Sequence, residues 1–547
     1  MKKLPQIKPV SIKPITFLIA AFCVAITQQH AVAGERESLE QLRATTNSLV
    51  NLLVQEGVLS KDKANNLLKQ AAQDAEKAKV KDAAAPTTAD AVDAEIDKKM
   101  VRVQYVPDIV KNEMKEDIKK EVMKNLNYKA GTRLGMPEWI DRLAWEGSLR
   151  LRAEKDSFPA GNPSQFDYNA ANNTNLKNTT EDRNRFRLRA QLGVKAEIND
   201  WMSAGIRMTT GSLDDPISPN QTQEAASGKY TIGLDRAFMS AKVLPWLTVT
   251  GGRFANPWFS TDLMWDPDLA FDGVAASFTP KINDQFSAFA TLGAFPIDEI
   301  EKSSINKSKS KWMYGVQGGI KWAFANKSSA KLGIALYDFQ DVEGISNGLA
   351  AGTTGPYSAT VPVFRTKGNS TFDINGGIAG IEQYGLASKF RDVSITGQVD
   401  VGNFDPVHVI LTGDYIKNIG FDAGEIARRT GQDAPSEQTK AYQVKVAVGM
   451  PETYQYGDWQ VFGAYKRLEA DSVLDSFTDS DFYLGGTNAK GWLLGASYGL
   501  DKNTWLTARW FSADEISPRT LINSLGVPEK LSPLSIDVLM LDLNTKF

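Results

Sequence analysis

The chain has 547 residues, 42% hydrophobic content and a formal charge of −3, enough for several soluble domains or for one large barrel with an appendage. A net charge this close to neutral does not point to nucleic acid as a partner, and no helical membrane span stands out beyond the N-terminus. One cysteine and two histidines leave little room for disulfide frameworks, zinc sites or thiol chemistry.

Residues 1–33 read as a secretory signal peptide. Lys2, Lys3, Lys8 and Lys13 precede the apolar run ITFLIAAFCVAI at 15–26, and Ala31-Val32-Ala33 fits a small-x-small cleavage site. Ala20-Ala21-Phe22 before Cys23 is a poor lipoprotein signature, which favours cleavage at Ala33. Cleavage takes the formal charge from −3 to about −7 and removes Cys23 and His30. A Ser-His-Asp triad would then have to use His408, which sits between Val407 and Val409 in a strand-like run. An enzyme is therefore not expected, and the sequence calls for no cofactor or metal.

Residues 34–79 are helical in pattern. Leu39, Leu42, Thr46, Leu49 and Leu53 follow a 3-4-3-4 spacing, the seam of a short coiled coil. Gly57 and Ser60 break the pattern before it resumes, so a two-helix hairpin and a self-associating periplasmic stalk both remain open. Residues 80–100, Ala-rich and containing Pro86, read as a linker. Residues 101–142 form a charged helical periplasmic segment, with acids at the start of the 108–126 helix and lysines towards its end.

From Leu143 to Phe547 the period becomes two. Trp145, Gly147, Leu149 and Leu151 alternate with Glu146, Ser148, Arg150 and Arg152; Val444, Val446 and Val448 alternate with Gln443, Lys445 and Ala447. The spacing predicts strands at 143–154, 183–197, 201–211, 230–243, 246–254, 271–280, 285–296 and 311–324. It predicts eight more at 329–340, 388–402, 406–418, 439–450, 457–470, 487–500, 504–513 and 534–547. Facing is ambiguous in 230–243 and 457–470, and the count could differ by two. Seven short connections alternate strictly with eight long ones. A soluble sandwich has no reason to segregate loop length by end, whereas an outer-membrane barrel does. The expectation for 143–547 is an all-β transmembrane antiparallel barrel of about 16 strands, with short periplasmic turns, long extracellular loops and aromatics such as Trp201, Trp246 and Trp505 at the interfaces.

The last strand, DVLMLDLNTKF, places Leu541, Leu543 and the terminal Phe547 on one face, which resembles the signal read by barrel assembly machinery. If the apolar rows face lipid, the polar rows face a water-filled lumen. Arg183, Arg185, Arg187 and Arg189 then line it beside Arg150 and Arg152 as a basic wall. Like charges need counter-charges, and the third long loop, ANPWFSTDLMWDPDLA at 255–270, carries Asp262, Asp266 and Asp268 among aromatics. Folded inward, it would narrow the pore and set a transverse field; the alternative is a loop packed outside or at a subunit contact.

Five stretches carry a family resemblance: VRVQYVPDIVKNEM (101–114), MPEWIDRLAWEGSLRLR (136–152), DRNRFRLRAQLGV (182–194), LDRAF (234–238) and GGRFANPWFSTDLMWDPDLAFDGVA (251–275). They resemble Gram-negative trimeric porins, and more closely the putative porin family with a helical periplasmic N-terminal segment. The resemblance implies a sixteen-stranded homotrimer in the outer membrane, an inward third loop, and passive diffusion of small hydrophilic solutes and ions. It places the constriction at Asp262, Asp266 and Asp268 facing the six arginines, with Arg253 anchoring the loop. Expected partners are outer-membrane lipid and lipopolysaccharide and the assembly machinery, with a peptidoglycan contact of the N-terminal helices left open. The alternative function is an envelope tether or adhesin, with the barrel as membrane base and the helices as spacer. Solute identity and ion preference stay open at this point.

Overall fold

The computed structural model describes Ile140 and residues 142–547, apart from positions 225, 325, 349–354, 379 and 523–526. The expected signal peptide, coiled coil and linker, and nearly all of the charged helical segment, lie outside the described residues.

Alternating side chains make the strands, because each apolar residue then falls on one face of the pleat and each polar residue on the other. The first half of the ring comprises β1 (Leu143–Ser157), β2 (Arg183–Glu197), β3 (Met202–Thr210), β4 (Ile232–Leu244), β5 (Leu247–Ala255), β6 (Ala270–Phe278), β7 (Phe286–Asp298) and β8 (Lys311–Ala323). The second comprises β9 (Ser329–Gln340), β10 (Arg391–Phe404), β11 (Val407–Asn418), β12 (Lys440–Gly449), β13 (Trp459–Leu468), β14 (Ala489–Asp501), β15 (Thr504–Glu515) and β16 (Ser535–Lys546). Each strand pairs antiparallel with its chain neighbour, and β1 pairs with both β2 and β16. The sheet is thus closed, which leaves no edge strand exposed.

The closing seam extends one residue past β16. Phe547 and Gly147 exchange backbone hydrogen bonds of 2.8 and 3.0 Å. A Cβ on Gly147 would stand 2.3 Å from the Phe547 ring, so the glycine leaves the ring its space.

Burial runs opposite to that of a soluble protein. Phe186 is 65% exposed, Leu192 51% and Leu539 52%, while Arg152 and Lys466 are 2% and 1% exposed. The apolar rows form the outer surface and the polar rows the inner one. Such an outer surface is at home in hydrocarbon, where a closed barrel satisfies every backbone group internally. Among the described residues no helix is long and apolar enough to cross a membrane; the strands make the crossing.

Strands β2 and β9 coincide end to end with the sequence expectation, and the others differ by up to three residues at an end. The ambiguous facing of 230–243 has a physical cause. Arg207 of β3 pairs with Arg236 while the adjacent Met208 pairs with Leu234, so Asp235 is an extra residue in β4. This bulge interrupts the alternation. Connections of a few residues join β2 to β3, β4 to β5, and so on around one rim, and long ones fill the other. Two long connections carry short helices, α1 (Gln165–Asn172) and α2 (Ala423–Thr430). They begin where Ser164 and Asp422 accept hydrogen bonds from the backbone N–H groups of Asp167 and Glu425.

Candidate functional site

Register sets the arginines side by side. Arg150 of β1 lies opposite Arg189 of β2, Arg152 opposite Arg187, Glu154 opposite Arg185, and Asp156 opposite Arg183. The inner row of β1 therefore changes from basic to acidic halfway along. Glu154 accepts from Arg185 Nε at 2.8 Å and Arg187 Nη1 at 3.3 Å, and Asp156 lies 3.4 Å from Arg185. Arg152, closed off from water, donates to Asp542 of β16 at 2.7 and 3.0 Å and to Asp481 at 2.8 Å. Arg509 of β15 completes the group, at 2.8 Å from Asp481 and 2.9 Å from Asp542. Arg183 stands apart, exposed and 3.5 Å from Glu224.

Residues 256–269, between β5 and β6, touch inward-facing side chains on several strands. Trp258 packs edge-on against Tyr337 and Phe295, with ring centroids 5.2 and 5.9 Å away. A Cβ on Gly315 would come 2.5 Å from the Trp258 ring, so β8 has a slot for it. Gln317 of β8 holds the Phe259 backbone through two 2.8 Å bonds, accepting from its N–H and donating to its carbonyl. Thr261 donates to Asp414 of β11 at 2.7 Å. Leu263, Met264 and Trp265 are buried, and Trp265 packs edge-on against Tyr337 and Phe271 and at a tilt against Phe339 and Phe477. A cavity of about 600 Å³ lies beside this cluster, reaching Asp268, Arg253 and Asp272.

The three loop acids go to different places. Asp268 meets the arginines: Arg189 Nη1 donates to it at 2.8 Å, and Arg150 lies 3.8 Å away while donating to Asn220 at 2.6 Å. Asp262 pairs with Lys466 of β13 at 2.8 Å. Burial works most strongly against its charge, but the Lys466 ammonium, Lys445 and Gln443 together hold the carboxyl below its usual value. Asp266 accepts from the backbone N–H groups of Asp268 and Ser480 at 2.8 and 2.9 Å. Burial, then the like charges of Asp479 and Asp268, push its carboxyl well above the usual range. Arg253 donates to Asp272 on β6 and, at 2.9 Å, to the Asp235 carbonyl. Arg253 and Asp272 are register partners, so the pair ties the two feet of the loop.

A second segment, residues 469–488, supplies groups that the sequence did not single out. Asp479 takes a 2.5 Å bond from Lys466, and Asp481 joins Arg152 to Arg509. Burial disfavours the Asp481 anion, yet Arg152 and Arg509 hold its carboxyl well below the usual range. From the 341–390 connection, Lys367 reaches the carbonyls of Tyr483, Gly485 and Leu484 at 2.5, 2.7 and 3.3 Å. Burial pushes its ammonium down to about 7. His408 bonds Asp400 at 2.6 Å and Asp405 at 3.4 Å near the short-turn rim. Leu541 and Leu543 lie on the outer apolar row, and Phe547 is exposed at the seam.

A family model described as "Putative porin" matches residues 43–547. No curated protein sequence matches the chain. Among solved structures, the chain is similar to OprB of Pseudomonas putida at high pH, at 12% identity and a TM-score of 0.42, covering 76% of this chain and 97% of that one. OmpF of Salmonella typhi, in complex with daunomycin, is similar at 12% identity and a TM-score of 0.38, covering 74% and 97%. The outer membrane channel DcaP of Acinetobacter baumannii follows at 9% identity and a TM-score of 0.37, again covering 74% and 97%.

Proposed function

The chain belongs to the Putative porin family, and from that premise we propose that it is a passive diffusion channel for small hydrophilic solutes and ions, narrowed by its third loop. Family and barrel indicate the outer membrane, and point to a channel rather than an enzyme. The observation that carries the finer reading is the 2.8 Å ion pair between Arg189 and Asp268. It fastens one end of the loop to the arginine wall, while Asp262 fastens the middle of the loop to Lys466 on β13. A segment held on two distant strands crosses the lumen, so solute must pass between it and the wall.

On this reading Arg150, Arg189 and Asp268 form the charged rim of the constriction, and the Arg253–Asp272 pair sets the angle at which the loop enters. Arg152, Arg185 and Arg187 stand behind the rim, held by Glu154, Asp481 and Asp542. The working unit is a homotrimer, its apolar outer belt covered by lipid and by two further copies. Single-channel recording of the purified, folded protein in planar bilayers tests this. The expected result is ohmic conductance grouped in threes, with larger steps once residues 258–266 are deleted. A folded protein that never conducts would overturn the proposal.

A further inference from the structure

The arginine wall draws the eye, but its charge is largely spent. Arg152, Arg185, Arg187, Arg189 and Arg509 each have a carboxylate oxygen within 3.3 Å. Another cationic row has no such partners. Lys321 of β8 pairs in register with Lys331 of β9, Lys331 with Gln398 of β10, Gln398 with Thr412 of β11, and Thr412 with Lys445 of β12. Their chain neighbours Ile320, Leu332, Val399, Leu411 and Val444 are exposed on the outer surface, so these five side chains face the lumen. Adjacent strands lie about 5 Å apart, so the row covers roughly 20 Å of wall. It lies five to eight strands around the closed ring from β1 and β2, on the far side of the lumen.

Among the described residues none of the three lysines has a carboxylate within 4.0 Å. Lys331 instead sits 4.0 Å from the ring centroid of Phe259 in the third loop and 4.6 Å from that of Phe289. Lys445 sits 4.9 Å from that of Phe462. A ring face holds an ammonium in place without cancelling its charge. Acids on neighbouring positions have closer partners: Asp262, whose field also reaches Lys445, is held by Lys466, Asp400 by His408, and Asp414 by Thr261, Ser394 and Thr396. Lys321 is exposed and the other two lysines are half-buried, so the row is open to solution.

We propose that this lysine row makes the channel anion-selective, favouring small inorganic anions and short carboxylates over cations. The inference rests on the channel reading and adds the class of solute to it. Uncompensated charge in a narrow, low-dielectric passage raises the local concentration of counter-ions. An acidic chain can thus carry a positive passage, because selectivity follows the lumen and not the net charge.

The test uses the full chain, folded, in planar bilayers under a potassium chloride gradient. Wild type should reverse at a potential of anion sign, and a Lys321→Gln, Lys331→Gln, Lys445→Gln variant should lower the chloride-to-potassium permeability ratio by about twofold or more. Lys321→Gln alone, at a side chain with no ring contact, should move the ratio the same way and guards against a folding defect at Lys331. Conductance with no anion preference in wild type, or an unchanged ratio in the triple variant, overturns the lysine row and leaves the channel standing. Absence of conductance overturns both.

Discussion

A guanidinium sealed inside a barrel must be matched on every side, and Arg152 is: Asp542 takes two of its hydrogen bonds, Asp481 two more, and Glu154 lies 3.8 Å off. Asp481 is the weak point, since it is the member held on a loop instead of a strand. Replacing it by Asn leaves Arg152 and Arg509 sharing the remaining acids in a water-poor space. Breaking a buried pair from one side costs on the order of 3 kcal/mol. Asp481→Asn should therefore lower the temperature at which the compact barrel band vanishes from a semi-denaturing gel, and an unchanged midpoint would count against the cluster's structural role. Parts of this cluster are visible in the sequence. Glu154 and Asp156 continue the alternation of Arg150 and Arg152, and Asp542 and Arg509 stand on polar rows that closure brings next to β1. Asp481 lies in a segment without period, so no spacing rule points to it. The same limit applies to Asp262 and Asp266, which share a loop with Asp268 but meet different walls.

At the scale of elements, strand and loop differ in how they store information. A strand repeats every two residues, and a one-residue slip would turn its whole apolar row inward, so sequence alone specifies β2 and β9 end to end. The bulge at Asp235 is the exception that blurs β4. A loop's path instead depends on what receives it. The aromatic content of residues 256–269 marks it as unsuited to water, but its route follows from slots such as Gly315 under Trp258 and from the paired bonds of Gln317. Filling the slot is a direct probe. In Gly315→Ala the new methyl would overlap the Trp258 ring, an overpacking penalty of about 1–3 kcal/mol. The loop should then sample detached positions, seen as added noise or substates in single-channel traces with the barrel still folded. Quiet traces of wild-type amplitude would show that the ring can shift without loosening the loop.

At the scale of the described barrel, the lumen is, on the proposed reading, filled in part by the barrel's own loops, and that filling makes stability depend on pH. Burial is the largest cause raising the carboxyls of Asp266, Asp471, Asp475 and Asp479, with Asp475 pushed up to about 6. An acid whose folded value is raised favours the docked state fully below the ordinary carboxylate value, near 4, and loses that contribution as pH rises through the folded value. Asp262 and Asp481, held low by Lys466 and by the arginines against the pull of burial, have the opposite sign. Their contribution is present above the ordinary value and fades only as pH falls through their lower folded values, outside this window. Lys367, pushed down by burial to about 7, begins to favour the docked state only as pH climbs past that value. Between about pH 4 and pH 6 the raised acids therefore act unopposed, and stability should fall by on the order of 2 kcal/mol for Asp475 alone. Thermal midpoints across that window should decline with rising pH, and Asp475→Asn, which cannot ionise, should flatten the slope. A midpoint that climbs across the same window would mean that these carboxyls meet water, and that the loops do not seal the lumen around them.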